Sequence, residues 1–164
     1  MTEQVADTHT RLLDLLRAER AEFRLLDHPA EGRSEHISKI RGNDPEQAMK
    51  ALVLEVRGGG KGKRHVLAVI PGARHLDMKA VVRHFGAQKG RFAPEETARR
   101  LTGCVMGSVP PFSFDPDALA IVVDTAFQKQ DEVCFNAGRL DRSLFVKFQD
   151  YRRIVQPTFC PISA

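Results

Sequence analysis

The chain has 164 residues, 42% of them hydrophobic and 28% charged, and its 25 basic and 21 acidic side chains leave a formal charge of +4. This length suits one domain spanning residues 1–164, and the composition excludes a disordered or low-complexity chain. So mild a basic balance permits a polyanionic partner without demanding one.

Three cysteines, Cys104, Cys134 and Cys160, with no C-x-x-C pair, exclude a disulfide framework and a cysteine zinc cluster. They fit reduced thiols. No apolar run is long enough to span a bilayer, and the start, MTEQVADTHT, lacks the basic and apolar regions of a signal peptide. A cytoplasmic protein with no membrane association is expected.

Leu12, Leu13, Leu15 and Leu16 behind Asp7, Thr8 and Thr10 predict a helix over residues 8–21, with one of those polar residues as N-cap. Phe23–Asp27 reads as a short strand ended by His28-Pro29. Ser34 caps a short helix through Ile40 that Gly42 ends, and Asp44-Pro45-Glu46 starts a further turn. Ala51–Val56 is a strand whose near-continuous apolar run predicts burial on both faces. RGGGKGKR at 57–64 is a flexible basic connection, and His65–Ile70 returns antiparallel. Asp77–Phe85 predicts a helix with Met78, Val81, Val82 and Phe85 on one buried stripe, and Pro94–Leu101 predicts another. Val105-Met106 and Ala120–Asp124 read as strands. Glu132–Phe135 and Ser143–Lys147 pair around a turn at Asn136–Asp141, and Tyr151–Val155 packs as a terminal element. The irregular interleaving, without a regular βαβ repeat, predicts a mixed α+β fold rather than a doubly wound sheet.

Few motifs carry chemistry. The cluster Gly58–Lys63 lacks the spacing and the Ser or Thr of a phosphate loop, so it is a mobile hairpin loop or a basic loop on nucleic-acid backbone. The six histidines show no H-x-x-x-H pair, so no metal is expected. No G-x-S-x-G is present. Cys104 is a nucleophile or a small buried hydrophobe. Lys50, before Ala51-Leu52-Val53, is a solvated strand end or a cation beside a pocket. Gly103–Phe112, with Gly107, Pro110 and Pro111, is a rigid segment that aims backbone groups at a ligand or a structural crossover. Asn136-Ala137-Gly138 with Asp141 is a tight turn or a polar pocket wall.

Together these blocks resemble a known family. Lys50-Ala-Leu-Val-Leu, Val69-Ile-Pro-Gly72, Leu76-Asp77, Thr102-Gly-Cys-Val-Met-Gly107, Val109-Pro-Pro-Phe112 and Phe135-Asn-Ala-Gly138 with Leu140-Asp141 are similar, in order, to the YbaK/ProX-type aminoacyl-tRNA editing family. Phe23-Arg24, Ile40-Arg-Gly42, His65-Val-Leu-Ala68, Pro110–Phe114 and Asp150-Tyr151 through Ile154 resemble its freestanding YeaK-like (ProXp-ST) branch.

The resemblance implies the α+β fold of prolyl-tRNA-synthetase editing domains, with a mixed, mostly antiparallel, barrel-like curved sheet surrounded by helices, and hydrolysis in trans of mischarged Ser-tRNA or Thr-tRNA, without a cofactor. It implies that Lys50 contacts the terminal adenosine, phosphate or ester, that the Gly107 backbone places the carbonyl or the water, and that Asp141 shapes the pocket or binds the amino group. His28, Gly103, Ser108, Asn136 and Ser143 are the implied substrate-binding candidates. Lys61, Lys63, Arg64, Arg83, Lys89 and Arg91 are candidate tRNA-backbone contacts, or a solvated face. The expected partners are mischarged tRNA and a synthetase, for a monomer or weak homodimer. The alternative is a non-catalytic tRNA, nucleotide or amino-acid binding module of the same fold. Val109-Pro110-Pro111 stands where relatives carry Ser-Pro, and Arg24-Leu25-Leu26 where some place a tyrosine, so the pocket wall is this chain's own.

Overall fold

Asp7 opens the described part of the computed structural model, residues 7–164; Met1–Ala6, part of the stretch read for a signal peptide, lie outside it. The Asp7 carboxylate accepts from the Thr10 N–H at 2.8 Å and caps helix α1, Thr8–Ala18. The helix stops short of the predicted residue 21. Arg20 takes a left-handed φ of 54°, and the Ala21 N–H closes back on the Leu16 carbonyl.

Among the described residues eight strands form two sheets rather than one barrel-like sheet. In the first, β1 (Phe23–Asp27), β7 (Arg142–Lys147) and β6 (Glu132–Arg139) are antiparallel in the order β1-β7-β6. The second has the order β4-β2-β3-β5-β8. Here β2 (Met49–Arg57) is antiparallel to β3 (Arg64–Pro71) and to β4 (Lys89–Phe92). Strand β5 (Ala120–Asp124) runs parallel to β3 and to β8 (Thr158–Cys160).

The main core fills the space between the sheets, from Leu12 and Leu16 of α1 through Val53, Leu67 and Val123 to Phe135, Leu144 and Tyr151. Helix α3 (Met78–His84) covers the outer face of the larger sheet through Ala80 and Val81, with Asp77 as its N-cap. Helix α2 (Ser34–Arg41) ends on Gly42 in the left-handed conformation, and Asp44 and Gln47 form a capping box around the turn at Pro45–Gln47. Helices α4 (Glu95–Thr102) and α5 (Phe148–Val155) complete the set, the latter starting ahead of the predicted terminal element. Among the described residues no helix is long and apolar enough to cross a membrane.

Three local readings are corrected. Val105-Met106 is a loop that turns at Met106-Gly107 instead of a strand. Asn136 and Ala137 lie within β6 and not in its turn, because a bulge between Asn136 and Arg139 absorbs Gly138 at φ 78° and leaves Leu140-Asp141 as the turn. Strand β2 is buried on both faces only from Val53 to Val56; Lys50–Leu52 are half-buried.

The segment after α4 is held from below. The Tyr151 hydroxyl, fully buried, donates to the Pro111 carbonyl at 2.8 Å, and its ring meets Phe112 edge-on at 5.3 Å. Tyr151→Phe leaves that carbonyl unpaired. We expect a loss of about 1–2 kcal/mol, read as a fall in Tm of a few degrees with the far-ultraviolet spectrum unchanged.

Candidate active site

The two sheets touch through an isolated parallel bridge between Ala48, at the start of β2, and Cys134 on β6. Beyond it both strands run in the same direction. Lys50 and Asn136 therefore sit at matching positions on the same side of the join, and both line one cavity of about 380 Å³. Its remaining walls come from Gly32, from Ile37 and Arg41 of α2, from Phe92-Ala93, and from Cys104 and Met106-Gly107. Phe92 and Met106, 59% and 73% exposed, mark the mouth; Asn136, 5% exposed, belongs to the buried side with Ile37, Ala48, Met49 and Cys104.

Lys50 is half-buried, and its ammonium donates to the Arg74 carbonyl at 3.2 Å. Burial pulls its pKa below the ordinary lysine value, against the pull of the Glu35 charge. It remains the cation of the strand that enters the cavity.

Gly107 has φ 86°, and a Cβ there would lie 2.8 Å from the Gly32 Cα and 2.9 Å from its carbonyl oxygen. Only glycine allows this crossing of two loops. Asn136 fastens it: its amide nitrogen donates to the Gly107 carbonyl at 2.8 Å and the Glu31 carbonyl at 3.0 Å. Its Oδ1 accepts from Arg41 at 2.9 Å and lies 3.1 Å from the Ser143 hydroxyl. Ser143, fully buried, also accepts from Arg41 Nε at 2.7 Å and sits 2.7 Å from His28 Nε2. His28 and Ser143 thus stand behind the wall that Asn136 and Arg41 present.

Other expected site residues lie elsewhere. Asp141 is at the β6–β7 turn, where its carboxylate pairs with Arg139 at 2.9 Å and is held below the usual carboxylate range by it. It does not line the cavity, because the bulge at Gly138 carries the hairpin turn away from it. Gly103 is the left-handed cap of α4, packed against Thr8, and Ser108 is buried with its hydroxyl on the Val105 carbonyl at 2.7 Å; neither lines the cavity. Cys104 does, but its thiol faces the Thr102 carbonyl at 3.4 Å and burial raises its pKa, which suits a small apolar wall and not a nucleophile.

The basic candidates divide. Arg91 and Lys63 pair with Glu55 at 2.6 and 3.8 Å, and Arg57 joins them at 3.4 Å; Glu55 itself is 3% exposed. Arg64 donates to the Phe85 carbonyl at 2.7 Å, a structural use. Lys61, Arg83 and Lys89 are exposed and form no ion pair among the described residues. Strand β4 carries Lys89 and Arg91 up to Phe92 at the cavity mouth. Among the described residues, no three His, Cys, Asp or Glu side chains are grouped to hold a metal ion.

Arg41, Phe92 and Glu95 line the cavity without having been singled out by the sequence. A basic residue in a last helical turn reads as a partner of the helix dipole, and nothing local points to tertiary partners such as Asn136 and Ser143.

Residues 28–154 match the model of the aminoacyl-tRNA editing domain. Over 150 residues the chain is 42% identical to the Multifunctional Ser/Thr-tRNA deacylase ProXp-y of Escherichia coli strain K12, covering 92% of this chain and 89% of that protein. The hypothetical protein APE2540 superposes with a TM-score of 0.82 at 21% identity, over 94% of this chain and 99% of that one. A structure described as a candidate trans-editing enzyme for prolyl tRNA synthetase gives 0.79 at 22% identity, over 98% and 99%. At such identities the likeness is one of fold, and the fold is the α+β arrangement expected from the sequence.

The crossing at Gly107 generates a prediction. Gly107→Ala brings a Cβ against the Gly32 backbone and strains a positive φ. We expect a lower Tm and a reshaped cavity, with a stability loss of about 1–3 kcal/mol in denaturant titration.

Proposed function

Because the chain belongs to the aminoacyl-tRNA editing domain family, we propose that it is a trans-editing deacylase that hydrolyses the ester of mischarged Ser-tRNA and Thr-tRNA. The observation that carries the proposal is the cavity itself: Lys50 and Asn136 on matching strand positions, with the Gly107 loop held against them. The specificity follows that of the relative named a Ser/Thr-tRNA deacylase.

The chemistry needs little from the protein. An aminoacyl ester is already activated, so a positioned water and donors for the developing oxyanion suffice. Water adds to the carbonyl carbon, the bond to the ribose oxygen breaks, and that oxygen takes a proton; free amino acid and tRNA leave. The vicinal ribose hydroxyl assists. Lys50 holds the ester or the terminal adenosine, the Gly107 loop sets the carbonyl or water, and the amino group faces Glu95, the carboxylate that lines the cavity. Phe92 offers its exposed ring to the terminal base at the mouth, and Lys61, Arg83 and Lys89 meet the tRNA backbone. Mischarged tRNA is the partner in this proposal, met in the cytoplasm by a monomer or weak homodimer, with a synthetase as its source.

A deacylation time course on Ser-, Thr-, Ala-, Cys- and Pro-tRNA tests this. We expect many turnovers per protein molecule, fastest on the Ser and Thr esters, and a loss of about 10- to 100-fold in kcat/KM for Lys50→Ala. Ester protection without turnover would assign the binding module instead.

The pH profile follows from the burial of Lys50. Its ammonium is the form that binds, and burial favours the neutral amine, so the charge is lost at a lower pH than for a free lysine. After subtraction of uncatalysed hydrolysis, kcat/KM should fall on the alkaline side below the ordinary lysine pKa. Lys50→Arg, if active, should move that limb upward.

A further inference from the structure

Arg41 is a cation without a counter-charge. It forms no ion pair among the described residues, and its half-buried side chain reaches from α2 across the paired strands β6 and β7. Its three contacts are neutral: Nε to the Ser143 hydroxyl at 2.7 Å, one terminal nitrogen to Asn136 Oδ1 at 2.9 Å, and the other to the Cys134 sulfur at 3.9 Å. A guanidinium carries five N–H groups in a fixed fork, so two remain after these contacts. Glu55 shows the opposite arrangement in the same protein: a buried carboxylate met by Arg91 and Arg57. A guanidinium held by neutral acceptors alone, at the wall of a cavity, keeps donors for an oxygen that the protein does not supply.

Its depth says which oxygen. Its partners Asn136, Cys134 and Ser143 are 5%, 0% and 0% exposed, so Arg41, itself half-buried, is anchored on the buried side of the cavity, while Phe92 and Met106 mark the mouth. The scissile ester connects amino acid to ribose, and the tRNA stays outside. The amino-acid side chain is therefore the part of the substrate that reaches the buried side. Near Arg41 the lining includes apolar Ile37 and Ala48, and Ser34 at the start of α2 is the hydroxyl on that side.

We propose that Arg41, set by Ser143 and Asn136, is the specificity-determining donor that recognises the side-chain hydroxyl of the aminoacyl group. This rests on the deacylase function proposed above. A hydroxyl accepts an N–H that a hydrogen or methyl in its place leaves unpaired in a partly dry site. Ser143 acts through Arg41 as a positioning residue. Buried Asn136 spends both N–H groups on backbone carbonyls and has none left for substrate.

The test compares kcat/KM for one tRNA body charged with serine or with alanine, and with threonine or with 2-aminobutyrate, on wild type, Arg41→Gln and Ser143→Ala. The wild type should favour each hydroxyl substrate by about 10- to 100-fold. Arg41→Gln should bring both ratios to within about 3-fold, and Ser143→Ala should lower them part of the way. The ratio is independent of the fraction of protein that folds, so a damaged variant still reports. Equal losses on both members of a pair, with the ratio kept, would make Arg41 an oxyanion donor or a structural residue and overturn the proposal. A wild type without preference for the hydroxyl would overturn it too. A wild type that turns over neither Ser- nor Thr-tRNA would instead bring down the deacylase assignment.

Discussion

The Ala48–Cys134 bridge is the contact on which the site depends. Sheets twist, so two strands paired at one point and belonging to different sheets must separate beyond it. The separation opens a wedge, and residues two positions past the join occupy its sides. The polar groups there cannot rely on bulk water. Asn136 answers this by making four hydrogen bonds, to Glu31, Gly107, Arg41 and Ser143, and so ties two loops and a helix to the strand that bears it. The close approach of Gly32 and Gly107 is the steric counterpart of the same demand: with a side chain on Gly107 the loops could not meet, and the wedge would lack its far wall.

The arrangement sacrifices stability locally. Burial works against the charges of both Arg41 and Lys50, and neither forms an ion pair among the described residues. Elsewhere the chain treats charge differently. Glu55 is ringed by cations, and Asp124, 2% exposed, accepts from the Ala126 and Ile162 amides and the Ser163 hydroxyl, which fixes the C-terminal segment to β5. Structural charges are thus saturated while cavity charges keep free donors. The extensive core between the sheets offsets that local cost.

Legibility in the sequence followed how local each signal was. Strands β1 and β5 are bounded by their own residues and stand where the pattern put them, and the helical turns expected to start at Asp44 and Asp77 do so with those residues as N-caps. Strand β4 was invisible, since Lys-Gly-Arg-Phe has no apolar alternation. It exists because its backbone pairs with β2, and Gly90 lets it lie under α3, where a Cβ would come within 2.7 Å of Val82. The bulge at Gly138 shifts the hairpin, which moved Asn136 from an expected turn into the strand and Asp141 out to the surface. Lys50, Gly107 and Asn136, which line the cavity, stand in family-like motifs. Arg41 was quoted in such a motif and given no role, since its partners lie more than 90 residues away in the chain.

The sequence carries no nucleophile-elbow motif, in keeping with the chemistry of the ester. A nucleophile earns its place when the leaving group is poor or the carbonyl unreactive, and an aminoacyl ester is neither. The Cys104 thiol at the cavity wall illustrates the point: burial holds it protonated, and a reactive thiolate there would compete with water for the ester. What such a cavity must supply instead is discrimination. One methyl is worth only about 1–3 kcal/mol of selection, whereas a donor left unpaired by the wrong side chain selects more strongly. A wedge with an unpaired cation on its buried side and apolar walls beside it is built for that second kind of selection. In this reading the guanidinium, held by Ser143 and Asn136, and not a nucleophile, is the polar group that the cavity turns to the substrate.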